Sequence, residues 1–285
     1  MNIAVVTDST ASLTEDLRSR HGITVVPLHV VVNGVDRAEG EGADTGWVVE
    51  ALRAKADINT SRPTPAAFLQ AYQQVAKGGA DAIISVHLSG HLSGTADSAR
   101  SAAPESPVPV HVVDSQLIGM ALGFAAIGAA RDAQAGYDVD DVLERLERRC
   151  AASSIRLVVH SLERLRRGGR IGGAAALLGS ALAMKPLLHV VDGEVQPLER
   201  VRTAGKAIAR LQALTEADCD ALPDWADGAD VAVHHIDAGD RAELLAANLG
   251  QHVDGDVDLA NLSAVVAAHV GLGTVGVAVS PRPRD

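Results

Sequence analysis

The 285-residue sequence predicts a two-lobed α/β protein, with a parallel-sheet lobe over residues 1–150 and a mixed α/β lobe over residues 151–285. Three observations predict it. A chain of this length lies near the size at which one hydrophobic core divides into two. Through the first half, short β-branched runs alternate with helix-patterned stretches, as a parallel sheet with crossover helices requires. After residue 150 the alternation gives way to paired strands around turn signals.

Taken in order, the apolar runs Ile3 to Val6, Val25 to Val32, Ala82 to Val86 and Val110 to Val113 read as strands, and Pro65 to Ala76 and Leu117 to Ala135 as helices between them. Asn33-Gly34 between β-branched residues marks a hairpin. A helix around Asp140 to Cys150 closes the first lobe. In the second, Ile155 to His160 is a strand, and Met184 to Val191 and Glu194 to Pro197 are strands joined at Asp192-Gly193. A helix over Thr203 to Leu214, a strand over Val231 to His235, a helix over Gly239 to Leu249 and a strand over Thr274 to Val279 complete it.

Composition excludes several function classes. The aromatic fraction is 2% against 47% hydrophobic, so aliphatic side chains fill the interior and base stacking has no platform. A formal net charge of -11 opposes binding to nucleic acid or anionic lipid. Cys150 and Cys219 form no close-spaced metal or redox motif. The segment Met1 to Asp8 lacks the basic and apolar regions of a signal peptide, and no apolar run reaches a membrane span. The expectation is a cytoplasmic protein without stable membrane insertion.

Chemistry concentrates in four segments, all read as loops. Ser85 to Arg100 leaves a strand, turns on Gly90 and Gly94 and enters a helix near Thr95, so Ser93 and Thr95 stand where helix amides point outward, an anion-binding geometry. His87 and His91 are four apart, but Ser89-Gly90 breaks the helix that a metal pair needs, and no metal is expected. Asn59 to Pro65 offers Thr60 and Ser61 upstream of a Thr64-capped helix. Leu162 to Gly173 combines arginines with paired glycines, read either as a ligand loop or as a solvated basic face. Ala268 to Thr274 puts His269 at a Gly-rich turn. Asp8-Ser9 and Asp114-Ser115 end two strands alike, as helix caps or as ligand contacts. Neutral donors with a cation and no acidic pair suit a carboxylate ligand. A hydrolase or acyltransferase using Ser93, with His269 and Asp114, is the alternative, although Gly90-His-Leu-Ser93-Gly misses the spacing of the nucleophile elbow.

Val6-Thr-Asp-Ser-Thr10, Thr60-Ser-Arg-Pro-Thr64, Leu92-Ser-Gly-Thr95, Val113-Asp-Ser115, Gly168-Gly-Arg-Ile171, Met184-Lys-Pro186, Arg202-Thr-Ala-Gly-Lys206 and His269-Val-Gly-Leu-Gly273 occur in this order along the whole chain. In them the sequence resembles the DegV family, the fatty-acid-binding components of bacterial fatty acid kinase. The resemblance implies the two-lobed DegV-like (EDD) fold with a long-chain fatty acid held between the lobes. It implies that Thr60 or Ser61, Ser93 with Gly94 and Thr95, and His269 hold the carboxylate. Arg170 and Arg202 would line the mouth, where the catalytic kinase protein meets the head group. It further implies no cofactor and no catalysis by this chain, the kinase using ATP to make an acyl phosphate. A lipid-sensing regulator without a kinase is the remaining reading. The sequence departs from the family pattern at Arg62, usually Gln, at Gly90 and His91, usually Ser and Lys, at Ala96, usually aromatic, and at Leu272, usually Pro.

Overall fold

A computed structural model describes residues 1–177 and 184–284. Four strands, β1 (Ile3–Asp8), β2 (Thr24–Val26), β6 (Ala82–His87) and β7 (Val110–Asp114), form an all-parallel sheet in the order β2-β1-β6-β7. Such a sheet needs cover on both faces. On one face Phe68 and Tyr72 of α3 (Pro65–Lys77) and Ala99 and Ala102 of α4 (Thr95–Ala102) pack against Val6, Val26 and Ile83. On the other face lies α5 (Met120–Gln134).

That helix is rich in small residues. Every residue from Met120 to Ala130 is buried, because α5 also packs against the second sheet. A helix between two sheets must be thin, and Ala and Gly make up seven of the eleven residues from Met120 to Ala130. A Cβ on Gly123 would stand 2.7 Å from the Ala11 carbonyl oxygen.

The second sheet holds β8 (Ser154–Val158), β9 (Lys185–Val191), β10 (Glu194–Val201), β11 (Ala226–His235), β12 (Val257–Asn261) and β13 (Val275–Pro283) in the order β10-β9-β8-β13-β11-β12. Only β11 and β12 run parallel. Its outer face is covered by α8 (Ala204–Asp220) and α9 (Gly239–Leu249) through Leu211, Leu245 and Leu249. Its inner face joins the core around α5, so one aliphatic cluster runs from Ile3 to Ala278 between the sheets. The helix α6 (Val139–Ala152) packs on α5. Among the described residues no helix is long and apolar enough to cross a membrane.

Local rules account for most elements. Thr64 caps α3, with Pro65 in its first turn. Asn33-Gly34 and Asp192-Gly193 make hairpin turns with positive φ at both residues. Other expectations need correction. The run Val25 to Val32 is two strands, because Pro27 has no N–H for a ladder. Its first half, β2, joins the parallel sheet, and its second, β3 (His29–Val32), pairs antiparallel with β4 (Val35–Ala38) and β5 (Ile58–Ser61). Thr60 and Ser61 therefore sit on a strand. His269 lies at the carboxyl end of the helix α10 (Ala264–Val270), which Ser263 caps, and not in the Gly-rich loop that follows it.

Candidate functional site

A cavity of about 410 Å³ opens between the sheets. Its walls are largely aliphatic, with Leu28, Leu88, Leu92, Leu157, Val195 and Val266 among them, and polar groups stand close together at Thr60 with His269 and at Arg62 with Gly94, while Thr10, Arg156 and His234 line it as well. Of the eight residues singled out in the sequence, Thr60, Ser61, Ser93, Gly94, Arg170 and His269 line it. Thr95 is buried just behind, its hydroxyl 2.8 Å from that of Ser93. Arg202 is outside the lining, exposed in the turn between β10 and α8.

Each donor arrives on its own element. Thr60 is carried by β5, and its Oγ1 is 2.8 Å from His269 Nε2. Burial, reinforced by the charges of Arg170 and Arg164, pulls the His269 imidazole down to about 4, so the ring is neutral at pH 7. Gly168 allows the ring to sit there, since a Cβ would clash with Nδ1. Ser93 and Gly94 lead into α4, whose N-cap is Gly94. No side chain caps that helix end among the described residues, so its first amides and the positive end of its dipole are left for an anion. Arg170 Nε donates to the Leu92 carbonyl at 3.0 Å and Nη1 to that of Gly168 at 2.5 Å, strapping the α4 approach to the turn after α7 (Glu163–Arg167). Arg62 also lines the cavity, with Nη1 3.4 Å from the Gly94 carbonyl.

The sequence reading passed over Thr10, Arg62 as a lining group, and His234. His234 is buried on β11, accepts the Met120 N–H at 2.9 Å on Nε2 and lines the cavity. Burial lowers its pKa to about 4, the Ala260 carbonyl partly opposing. Strand alternation was the available signal, since it sets His234 and His235 on opposite faces.

The two strand-end acids are spent inside the protein, Asp114 on backbone and Asp8 on backbone and side chains. Asp114 accepts the Gly90 and Gln116 N–H groups. Asp8 lies in a closed, fully buried chain. Its Oδ1 accepts from Thr10 N and Oγ1, at 3.1 and 2.5 Å, and its Oδ2 from Leu88 N and His87 Nδ1, at 3.0 and 3.1 Å. His87 Nε2 meets Ser85 Oγ at 2.7 Å, and Ser85 meets the Tyr72 hydroxyl at 2.9 Å. A Ser-His-Asp arrangement thus exists, but on Ser85, His87 and Asp8, sealed under Tyr72. Ser93 instead bonds Thr95, and His269 bonds Thr60. His91 is exposed, 3.3 Å from Glu194.

A family model described as "uncharacterised protein, DegV family" matches residues 2–282. A DegV domain-containing protein of Streptomyces coelicolor is 49% identical over 285 residues, covering 99% of both chains. One of Deinococcus radiodurans is 41% identical over 284 residues, with the same coverage. Among solved structures, a DegV family protein from Thermus thermophilus described by its fatty acid binding superposes with a TM-score of 0.91 at 34% identity, covering 99% of this chain and 100% of that one. DegV of Bacillus subtilis, described as a fatty acid binding protein, gives 0.89 at 32% identity with the same coverage.

Proposed function

The chain belongs to the DegV family, and on that premise we propose that it is a cytoplasmic fatty-acid-binding protein, without catalysis of its own, that presents a long-chain acid to an ATP-dependent kinase. The observation that carries this reading is the convergence of Thr60, Ser93, Gly94 and His269 on a largely aliphatic cavity. The carboxylate sits among these donors, at the open amino end of α4, with the charges of Arg62 and Arg170 close by. The hydrocarbon fills the space between the sheets. Burying each methylene contributes about 0.8 kcal/mol, so roughly fifteen supply about 12 kcal/mol before the losses of association. The tail therefore supplies most of the affinity, and the head-group donors orient the acid and keep its charge from being stranded. Arg170 and the exposed Arg202 mark the side on which a kinase would reach the head group.

Native mass spectrometry of the purified chain, before and after delipidation, tests the first half. A mass increment released by organic solvent and restored by palmitate or oleate is expected; a chain that carries nothing and takes up neither acid refutes it. Acyl phosphate formation with a fatty acid kinase and ATP tests the second. Hydrolysis of a generic ester that vanishes in Ser93→Ala would instead favour the hydrolase.

A further inference from the structure

A second cavity, of about 620 Å³, adjoins the first through three shared wall residues and includes none of the head-group residues Thr60, Ser61, Ser93, Gly94 and His269. It is walled by the loop Asp114 to Leu117, the end of α6 at Glu147 to Ala151, the start of β8 and the end of β9. Ile155, Arg156 and Val190 line both cavities. The register of β8 against β9 pairs Arg156 with His189 and Leu157 with Leu188, and carried one step further it sets Ile155 opposite Val190. Arg156 leaves the sheet on the outer side, where Nη2 is 2.8 Å from Asp218 of α8. Alternation then turns Ile155 to the inner side, where it packs against the central aliphatic cluster. Neither Ile155 nor Val190 is fully buried, as side chains bordering open space should be.

The two spaces differ in chemistry. The first is mostly aliphatic, while the second is bordered by Asp114, Ser115, Gln116, Ser153, His189 and Asp192. A hydrocarbon gains by filling the first and gains little by entering the second, whose polar groups would lose water without a replacement partner.

We infer that the cross-strand pair Ile155 and Val190 is the end wall of the acyl cavity, stopping the methyl end of the bound chain and setting the longest acid that the protein accepts. This rests on the acid-binding reading above, and it makes the two side chains determinants of chain length and not of head-group grip. Opening the wall joins the cavities and admits longer chains; thickening it shortens the favoured one.

The test is competition between laurate, palmitate and behenate for the delipidated protein, in wild type, Ile155→Ala/Val190→Ala and Val190→Phe. The wild type is expected to prefer palmitate over behenate. The double variant should reduce that preference by about tenfold or more, several methylenes no longer being excluded. Val190→Phe should move preference towards laurate by a similar factor, and it carries the test if the double variant does not fold. Preferences unchanged within about twofold in the folded variants overturn the inference while palmitate binding by the wild type leaves the proposed function standing. A wild type that binds none of the three acids overturns both.

Discussion

Two histidines, each beside hydroxyl groups, end up in opposite situations. His87 belongs to a chain in which Tyr72, Ser85, His87 and Asp8 bond one another, and the four donors to Asp8 all come from buried protein groups. His269 bonds Thr60 and faces a void, with Ser93, Gly94 and an uncapped helix end opposite. The first arrangement has no capacity left and serves to fix Thr10 and Leu88, both wall residues of the cavity, to the ends of β1 and β6. The second keeps donors in reserve. Residue type does not separate structure from function here; what separates them is whether the polar groups are already paired inside the protein.

The largest effect expected from breaking this contrast is on stability. Asp8→Ala would leave His87 Nδ1, Leu88 N, Thr10 N and Thr10 Oγ1 without an acceptor in a dry interior, costing about 3–5 kcal/mol. Denaturant unfolding of the variant measures it, and a loss under about 1 kcal/mol would show that the chain closes around the gap. Next comes His269→Ala. With the fold held by other contacts, it should weaken palmitate binding by about 10- to 100-fold, the worth of a hydrogen bond to a charged group, with a smaller change in unfolding midpoint. Equal loss of stability in both variants would erase the distinction between the two histidines. Ser93→Ala, which leaves the amides of α4 in place, should cost about 3- to 10-fold in affinity by isothermal titration.

Much of this was legible beforehand because it rests on local rules. Thr64-Pro65, Asn33-Gly34 and Asp192-Gly193 each dictate their own backbone. The parallel sheet followed from apolar runs with buried faces on both sides. The errors came from context. Ile58 to Ser61 contains no apolar alternation and is a strand only because β3 offers it an edge. Thr14 and Gly22 cap a seven-residue helix, α1 (Glu15–His21), with Glu15 and Asp16 in its first turn, whose apolar stripe is too short to stand out. The sealed chain on Asp8 could not be foreseen, since Tyr72, Ser85, His87 and Asp8 are brought together only by β1, β6 and α3 meeting. The gathering of Thr60, Ser93 and His269 came from a resemblance to known sequences, and nothing in their spacing states it.

The smallest expected effect concerns pH, and it discriminates between neutral and charged grip. The pKa of His269, at about 4, lies below the ordinary 6.5. The unfolded chain therefore binds the proton more readily. The stability gained by burying the neutral ring is complete above pH 6.5 and drains away as pH falls from there towards 4. Across roughly pH 6.5 to 8.5 the ring does not titrate, so it acts as a neutral partner to the acid and affinity should stay flat within about twofold. If binding required the imidazolium, affinity would fall by about tenfold per unit over the same range. A buried carboxyl can also bend the curve. Glu39 accepts the Val265 N–H at the amino end of α10, the helix that carries His269, and burial pushes its carboxyl up to about 7. The displacement titration is therefore run in wild type and in Glu39→Gln. A flat profile in both supports a neutral His269. A slope that disappears in Glu39→Gln assigns the pH dependence to the far end of α10, and a slope that persists in Glu39→Gln but is lost in His269→Gln shows that the ring is charged when it holds the acid.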